Sequence, residues 1–178
     1  HYAATMAGMA FANAFLGVCH SLAHSLGSTF HIAHGLANAL MLSYVIEYNG
    51  TDQPTKQGML PQYKYPWVKG RYARIADMLH LADDLEGDSP EIRGQKMARL
   101  VVAIAPLKKD CHIPTSIREA GVSESDFLAK LDVMAEHAFD DQCTVANCRY
   151  PLISELKELY RKAFYGEPPV SLRGVTLK

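Results

Sequence analysis

Cys19-His20-Ser21-Leu22-Ala23-His24-Ser25-Leu26-Gly27 and its continuation Ser28-Thr29-Phe30-His31-Ile32-Ala33-His34-Gly35 place four histidines within fifteen residues. The run before them, Ala3 to Val18, is almost wholly small or apolar. A helix apolar on every side is normally buried, so this run is expected in the core, and each strong polar group on it needs a reason. At about 100° per residue, Asn13, His20 and His24 fall within one narrow arc. Neutral imidazole is a common metal ligand, and two on successive turns of one face can converge on an ion. The alternative is a buried histidine satisfied by a hydrogen bond. Gly27 reads as a break, after which His34 leads directly into Gly35. Spacing alone leaves both readings open.

Working outward, 178 residues suit one domain or a piece of a larger protein. A hydrophobic share of 48% against 21% charged residues is enough to bury a core. The net charge of -1, with Lys and Arg scattered, gives no electrostatic footprint for nucleic acid or an anionic membrane. No apolar run reaches the roughly 20 residues that a bilayer span requires. Cysteines 19, 111, 143 and 148 show neither zinc-pair spacing nor a redox Cys-x-x-Cys, and free thiols suit a cytoplasmic, reducing location. The chain opens in a helical pattern without initiator Met or cap, and shows no Gly-rich loop of a dinucleotide fold. It therefore reads as a piece of a longer protein.

Helical stripes account for the rest. His34 to about Tyr48 is expected as a second buried helix, with Asn49-Gly50 ending it. Thr51 to Tyr65, broken by Pro54, Gly58 and Pro61, reads as loop. Pro66 is expected to open a helix with Val68, Tyr72, Ile75, Ala76 and Leu79 inward, and with Arg71 and Arg74 on a solvated face. Asp88 or Ser89 starts another, through Met97, Leu100, Val101 and Ile104, which Pro106 should kink or end. Adjacent Cys111 and His112 diverge on a helix and form no metal pair. Ser123 to Asp126 resembles a capping box ahead of Phe127, Leu128, Leu131 and Met134. Asp140-Asp141 could be an acid-base pair or metal ligands, but a structural place at a helix N-terminus is favoured. Pro151 to about Tyr165 forms a closing helix that Gly166 stops. The expectation is an all-α bundle of about six to eight helices over residues 1–166, with a C-terminal tail over 167–178.

The stretch Gly8-Met9-Ala10-Phe11-Ala12-Asn13-Ala14-Phe15-Leu16-Gly17-Val18-Cys19-His20-Ser21-Leu22-Ala23-His24-Ser25-Leu26-Gly27 resembles the signature of the iron-dependent alcohol dehydrogenases. Phe30 to Ala39 fits the same family. Pro54-Thr55-Lys56-Gln57 and Ile113 to Gly121 resemble its bifunctional aldehyde-alcohol dehydrogenase branch. The resemblance implies the C-terminal helical domain of a dehydroquinate synthase-like fold, with a nucleotide-binding domain preceding it. It implies that His20 and His34 are metal ligands, and that His24 lies beside the metal near the reacting carbon. One Asp and one His from the other domain complete the ligand set. Asp140 to Pro151 is similar to a segment near the nicotinamide, which makes Cys143 a cleft residue. Asn147 and Arg149 match there, whereas Cys148 and Ala33 stand where the family has proline.

Leu16, four residues before His20, is expected to share its helical face and line the substrate pocket. Phe11 matches a pocket position in relatives, yet an ideal helix turns it away from His20, so the helix must deviate. The implied parent reaction is interconversion of acetaldehyde, or another short aldehyde, with the matching alcohol. Hydride comes from NADH, and Fe(II), or alternatively Zn(II), acts as Lewis acid. His24 is the candidate proton relay. Alone, the chain is expected to lack dehydrogenase activity. A second reading is an assembly module for homo-oligomers or filaments of the parent; a freestanding histidine metal or haem protein ranks third.

Overall fold

A computed structural model of the chain describes residues 1–50 and 67–170. Among them are seven α-helices: α1 (Tyr2–Ala14), α2 (Val18–Phe30), α3 (His34–Asn49), α4 (Val68–Met78), α5 (Pro90–Asp110), α6 (Glu124–Asp140) and α7 (Ile153–Tyr165), with a 3-10 turn at Thr144–Ala146. The architecture is all-α, as the periodicity indicates. The loop expected over Thr51 to Tyr65, Pro66 and most of the tail lie outside the described residues.

Helices α2, α3, α6 and α7 surround one core. Leu22, Leu26, Met41, Phe127, Met134, Leu156, Tyr160 and Phe164 are buried in it, and Phe127 stacks on Phe164 with ring centres 4.1 Å apart. Helices α4 and α5 pack on one another, and α5 meets α3 through Ile46, Met97 and Val101. Local chemistry sets several ends. Ser89 Oγ accepts from Ile92 N–H at the start of α5, and Ser123 Oγ from Asp126 N–H at the start of α6. The Glu155 carboxylate accepts from Leu152 N–H ahead of α7, and Gly166 closes that helix in the left-handed conformation, φ 67°.

Several expectations are corrected. The apolar N-terminal run is not buried: α1 contributes no buried residue, and Met6 is 69% exposed. Nor does it continue into the histidine helix. At Phe15 the backbone turns to φ 62°, ψ 172°, and α1 and α2 meet at a bend of 113°. Asn13 therefore leaves the arc of His20 and His24, and its side chain donates to Met9 O within α1. No single helix among the described residues is long and apolar enough to cross a membrane.

Gly27 does not break α2, which runs on to Phe30 and ends at His31 in the left-handed region. A Cβ at Gly27 would stand 2.9 Å from Ile32 O, so its bareness admits the returning chain. On α4 the buried stripe is Ala73 and Ala76, while Ile75 and Leu79 are exposed; Leu128 on α6 is likewise exposed. These two helices are buried on a narrower arc than their apolar residues cover. Pro106 does not end α5, which continues to Asp110. The roughly 3 kcal/mol cost of an interior proline is offset by packing of Met97, Leu100 and Val101.

Candidate metal centre

The site grows from the turn between α2 and α3. His20 and His24 stand one turn apart on α2, and His34 is the first residue of α3. The chain reversal over 31–33 brings the three together. One nitrogen of each ring lies within 4.8 Å of the others. His34 Nε2 is 3.2 Å from His20 Nδ1, and the His24 and His34 rings stack at 5.0 Å. His31, the fourth histidine of the cluster, caps α2 and faces solvent.

The neighbours orient these rings. Asn38, one turn along α3, sets its Nδ2 3.0 Å from His34 Nε2. His24 Nδ1 lies 2.9 Å from Asp141 Oδ2 and donates to it as Nδ1–H. The other Asp141 oxygen accepts from Cys143 N–H at 2.8 Å and Ser21 Oγ at 3.3 Å. This corrects the placing of Asp141 at a helix N-terminus: it follows the C-terminal end of α6, and Asp140 is exposed. Asp141 is the residue that local reading missed. Its partner is 117 positions away, and only the doubled acid in the sequence marked it.

Electrostatics favour a neutral His20 imidazole and an ionised Asp141 carboxylate. Burial, then His34 and His24, lowers the His20 pKa from its ordinary 6.5. Burial raises that of Asp141, but the Cys143 N–H and His24 outweigh it and hold the carboxyl below its usual value. A lowered histidine pKa means that the folded state binds fewer protons than the unfolded one. The His20 contribution to stability is therefore full above pH 6.5 and lost as pH falls through the folded value.

Two nitrogens about 2.1 Å from one ion at a tetrahedral angle stand about 3.4 Å apart. The 3.2 Å between His20 and His34 fits that separation, and imidazole suits both iron and zinc. His34 is exposed and the other two are half-exposed, so the group opens outward. Phe11, Leu16 and Cys143 all line one adjoining cavity of about 400 Å³. The bend at Phe15 brings Phe11 round until its ring centre is 6.4 Å from that of His20. Leu16 reaches the cavity from the linker between α1 and α2, not from a shared helical face.

Burial, then Asp141, pushes the Cys143 thiol up to about 11, so it is a protonated wall of the cavity at neutral pH. Burial likewise takes Cys19 to about 12 and Cys148 to about 11; all four cysteines are free and Cys111 is exposed. Iodoacetamide at about pH 8, where thiolate content governs the rate, should label Cys111 alone in the folded chain and all four thiols in denaturant. Equally rapid labelling of Cys143 in the folded chain would contradict this burial.

The sequence model described as Fe-containing alcohol dehydrogenase family, C-terminal, matches residues 1–164. The chain is 57% identical over 166 residues to the bifunctional aldehyde-alcohol dehydrogenase of Escherichia coli (strain K12), covering 93% of this chain and 18% of that protein. It is 51% identical over 167 residues to the aldehyde-alcohol dehydrogenase of Clostridium acetobutylicum, covering 94% and 19%. The chain thus spans about a fifth of the length of these curated relatives. Among solved structures, a 1,3-propanediol oxidoreductase superposes with a TM-score of 0.70 at 31% identity, covering 92% of this chain and 36% of that one. An iron-containing alcohol dehydrogenase from Thermococcus thioreducens gives 0.69 at 34% identity, covering 94% and 36%.

Proposed function

The chain belongs to the Fe-containing alcohol dehydrogenase family, and from that premise we propose that it is the metal-holding helical part of an enzyme interconverting acetaldehyde, or another short aldehyde, with its alcohol. The observation that carries this reading is the 3.2 Å convergence of His20 and His34 beside an apolar cavity. These two residues would hold a divalent ion, iron or zinc, with an Asp and a His from a nucleotide-binding domain. When bound, the ion supplies Lewis-acid polarisation of the substrate carbonyl, and NADH supplies hydride.

The protein's own side chains do the rest. Phe11, Leu16 and Cys143 enclose the organic part of a short aldehyde and exclude water. With Nδ1–H held by Asp141, His24 presents Nε2 as the free nitrogen, in the tautomer that can take or return the alcohol proton. Asp141 acts through His24 and is a positioning residue. Asp141→Asn in the enzyme joined to its nucleotide-binding domain should lower kcat about tenfold and displace the pH profile, with KM for the aldehyde little changed. An unchanged pH profile would remove Asp141 from proton handling.

The functional test is turnover. That enzyme should oxidise NADH on addition of acetaldehyde, and the 178-residue chain alone should not. Failure of the enzyme to turn over any short aldehyde while still binding NADH would overturn the reading. The uncovered apolar residues of α1, among them Tyr2, Met6 and Met9, favour a second role as an assembly surface. Light scattering that shows self-association surviving His20→Ala without metal would support it.

A further inference from the structure

A second cavity, of about 620 Å³, opens between α3, the end of α5, the segment around Ile113 and Pro114, and the segment over 166–169. The metal-centre histidines and Phe11, Leu16 and Cys143 do not line it. Its walls are largely apolar, with Val101, Ala105, Ile113, Pro114 and Pro168 contributing. Lys108, Lys109, His112 and Glu167 also line it.

Lys108 is half-buried, and neither lysine's side chain makes a hydrogen bond or ion pair among the described residues. Other buried cations of this chain are paired: Lys96 with Asp77 at 2.8 Å, and Arg149 with Glu155 at 2.8 Å. An ammonium withdrawn from water without an anion facing it is unfavourable. Burial accordingly pulls the Lys108 pKa below its ordinary range. Two lysines stand against one glutamate in the lining, to which His112 adds an imidazole.

We propose that this cavity binds an amphiphilic monoanion, an organic carboxylate whose head meets Lys108 and whose apolar body lies along Val101, Ile113 and Pro114. The ammonium selects an anion over a neutral amphiphile, and the apolar walls select a ligand with a hydrocarbon portion over inorganic phosphate. A volume of this size is in the range of small-molecule sites. The site is independent of the metal centre.

Calorimetric titration of the 178-residue chain with sodium octanoate, in the presence of a chelator, tests it. Saturable one-to-one binding is expected, with affinity rising about fourfold per methylene from hexanoate to octanoate. Octanol and inorganic phosphate should each bind at least about tenfold more weakly, as should octanoate to Lys108→Met, because a charge-assisted contact is lost. Ala105→Trp, which fills the mouth from an exposed position, should also block binding. The His20→Ala/His34→Ala chain should bind octanoate as the parent does. Absence of saturable binding, equal binding by Lys108→Met or Ala105→Trp, equal binding of octanol or phosphate, or loss of binding in the double histidine variant would each overturn the proposal.

Discussion

Asn147→Ala is expected to destabilise the domain by about 3–5 kcal/mol, a large part of the roughly 5–15 kcal/mol that holds a domain folded. Asn147 is 3% exposed, and its amide joins three segments. Its Oδ1 accepts from Val18 N–H at 3.1 Å, the first donor of the histidine helix, and from Asn49 Nδ2 at 3.3 Å. Its Nδ2 donates to Asn49 Oδ1 at 2.8 Å and to Arg149 O at 2.7 Å. Alanine would leave these buried groups without partners, at about 1–3 kcal/mol for each that water cannot reach. Gly17 belongs to the same device: a Cβ there would stand 2.6 Å from Asn147 Oδ1. The measurement is thermal or urea unfolding, with Tm falling by about 10 °C at roughly 2–4 °C per kcal/mol. Asn147→Asp, which keeps an acceptor for Val18 but loses both donations, should fall between. A change below about 1 kcal/mol would mean that the histidine helix is anchored elsewhere.

His20→Ala in the enzyme joined to its nucleotide-binding domain should reduce aldehyde turnover by more than about 100-fold. Even partners that only orient metal ligands are worth about 10–100-fold, and His20 would be a ligand itself. Fold stability should change little, since the ring is half-exposed and its neighbours are other histidines. NADH binding should persist. A variant retaining a tenth or more of the parent's turnover would separate the histidine cluster from the chemistry.

Legibility in the sequence followed the range of the interactions. Helices α5, α6 and α7 were readable because their ends are set by residues one turn away: Ser89, Ser123 and Gly166. The histidine pair of α2 was readable for the same reason, since one turn separates His20 from His24. The bend at Phe15 was not. Phe15, where φ turns positive, is neither Gly nor Pro, although Gly17 follows two residues on; the conflict between Phe11 and His20 on an ideal helix hinted at the bend. The exposure of α1 was illegible because an apolar pattern records that a face needs cover, not where the cover is. Asp141 escaped because what makes it part of the site is His24 on a different helix. The apolar run and the doubled acid were both visible; their partners in space were not.

The central claim is that His20 and His34 hold a metal ion. Anaerobic titration of this chain with Fe(II) and Zn(II), beside its His20→Ala/His34→Ala variant, tests it most directly. Weak binding of one ion per chain, absent from the double variant, is expected. Equal metal binding by the two proteins would contradict it.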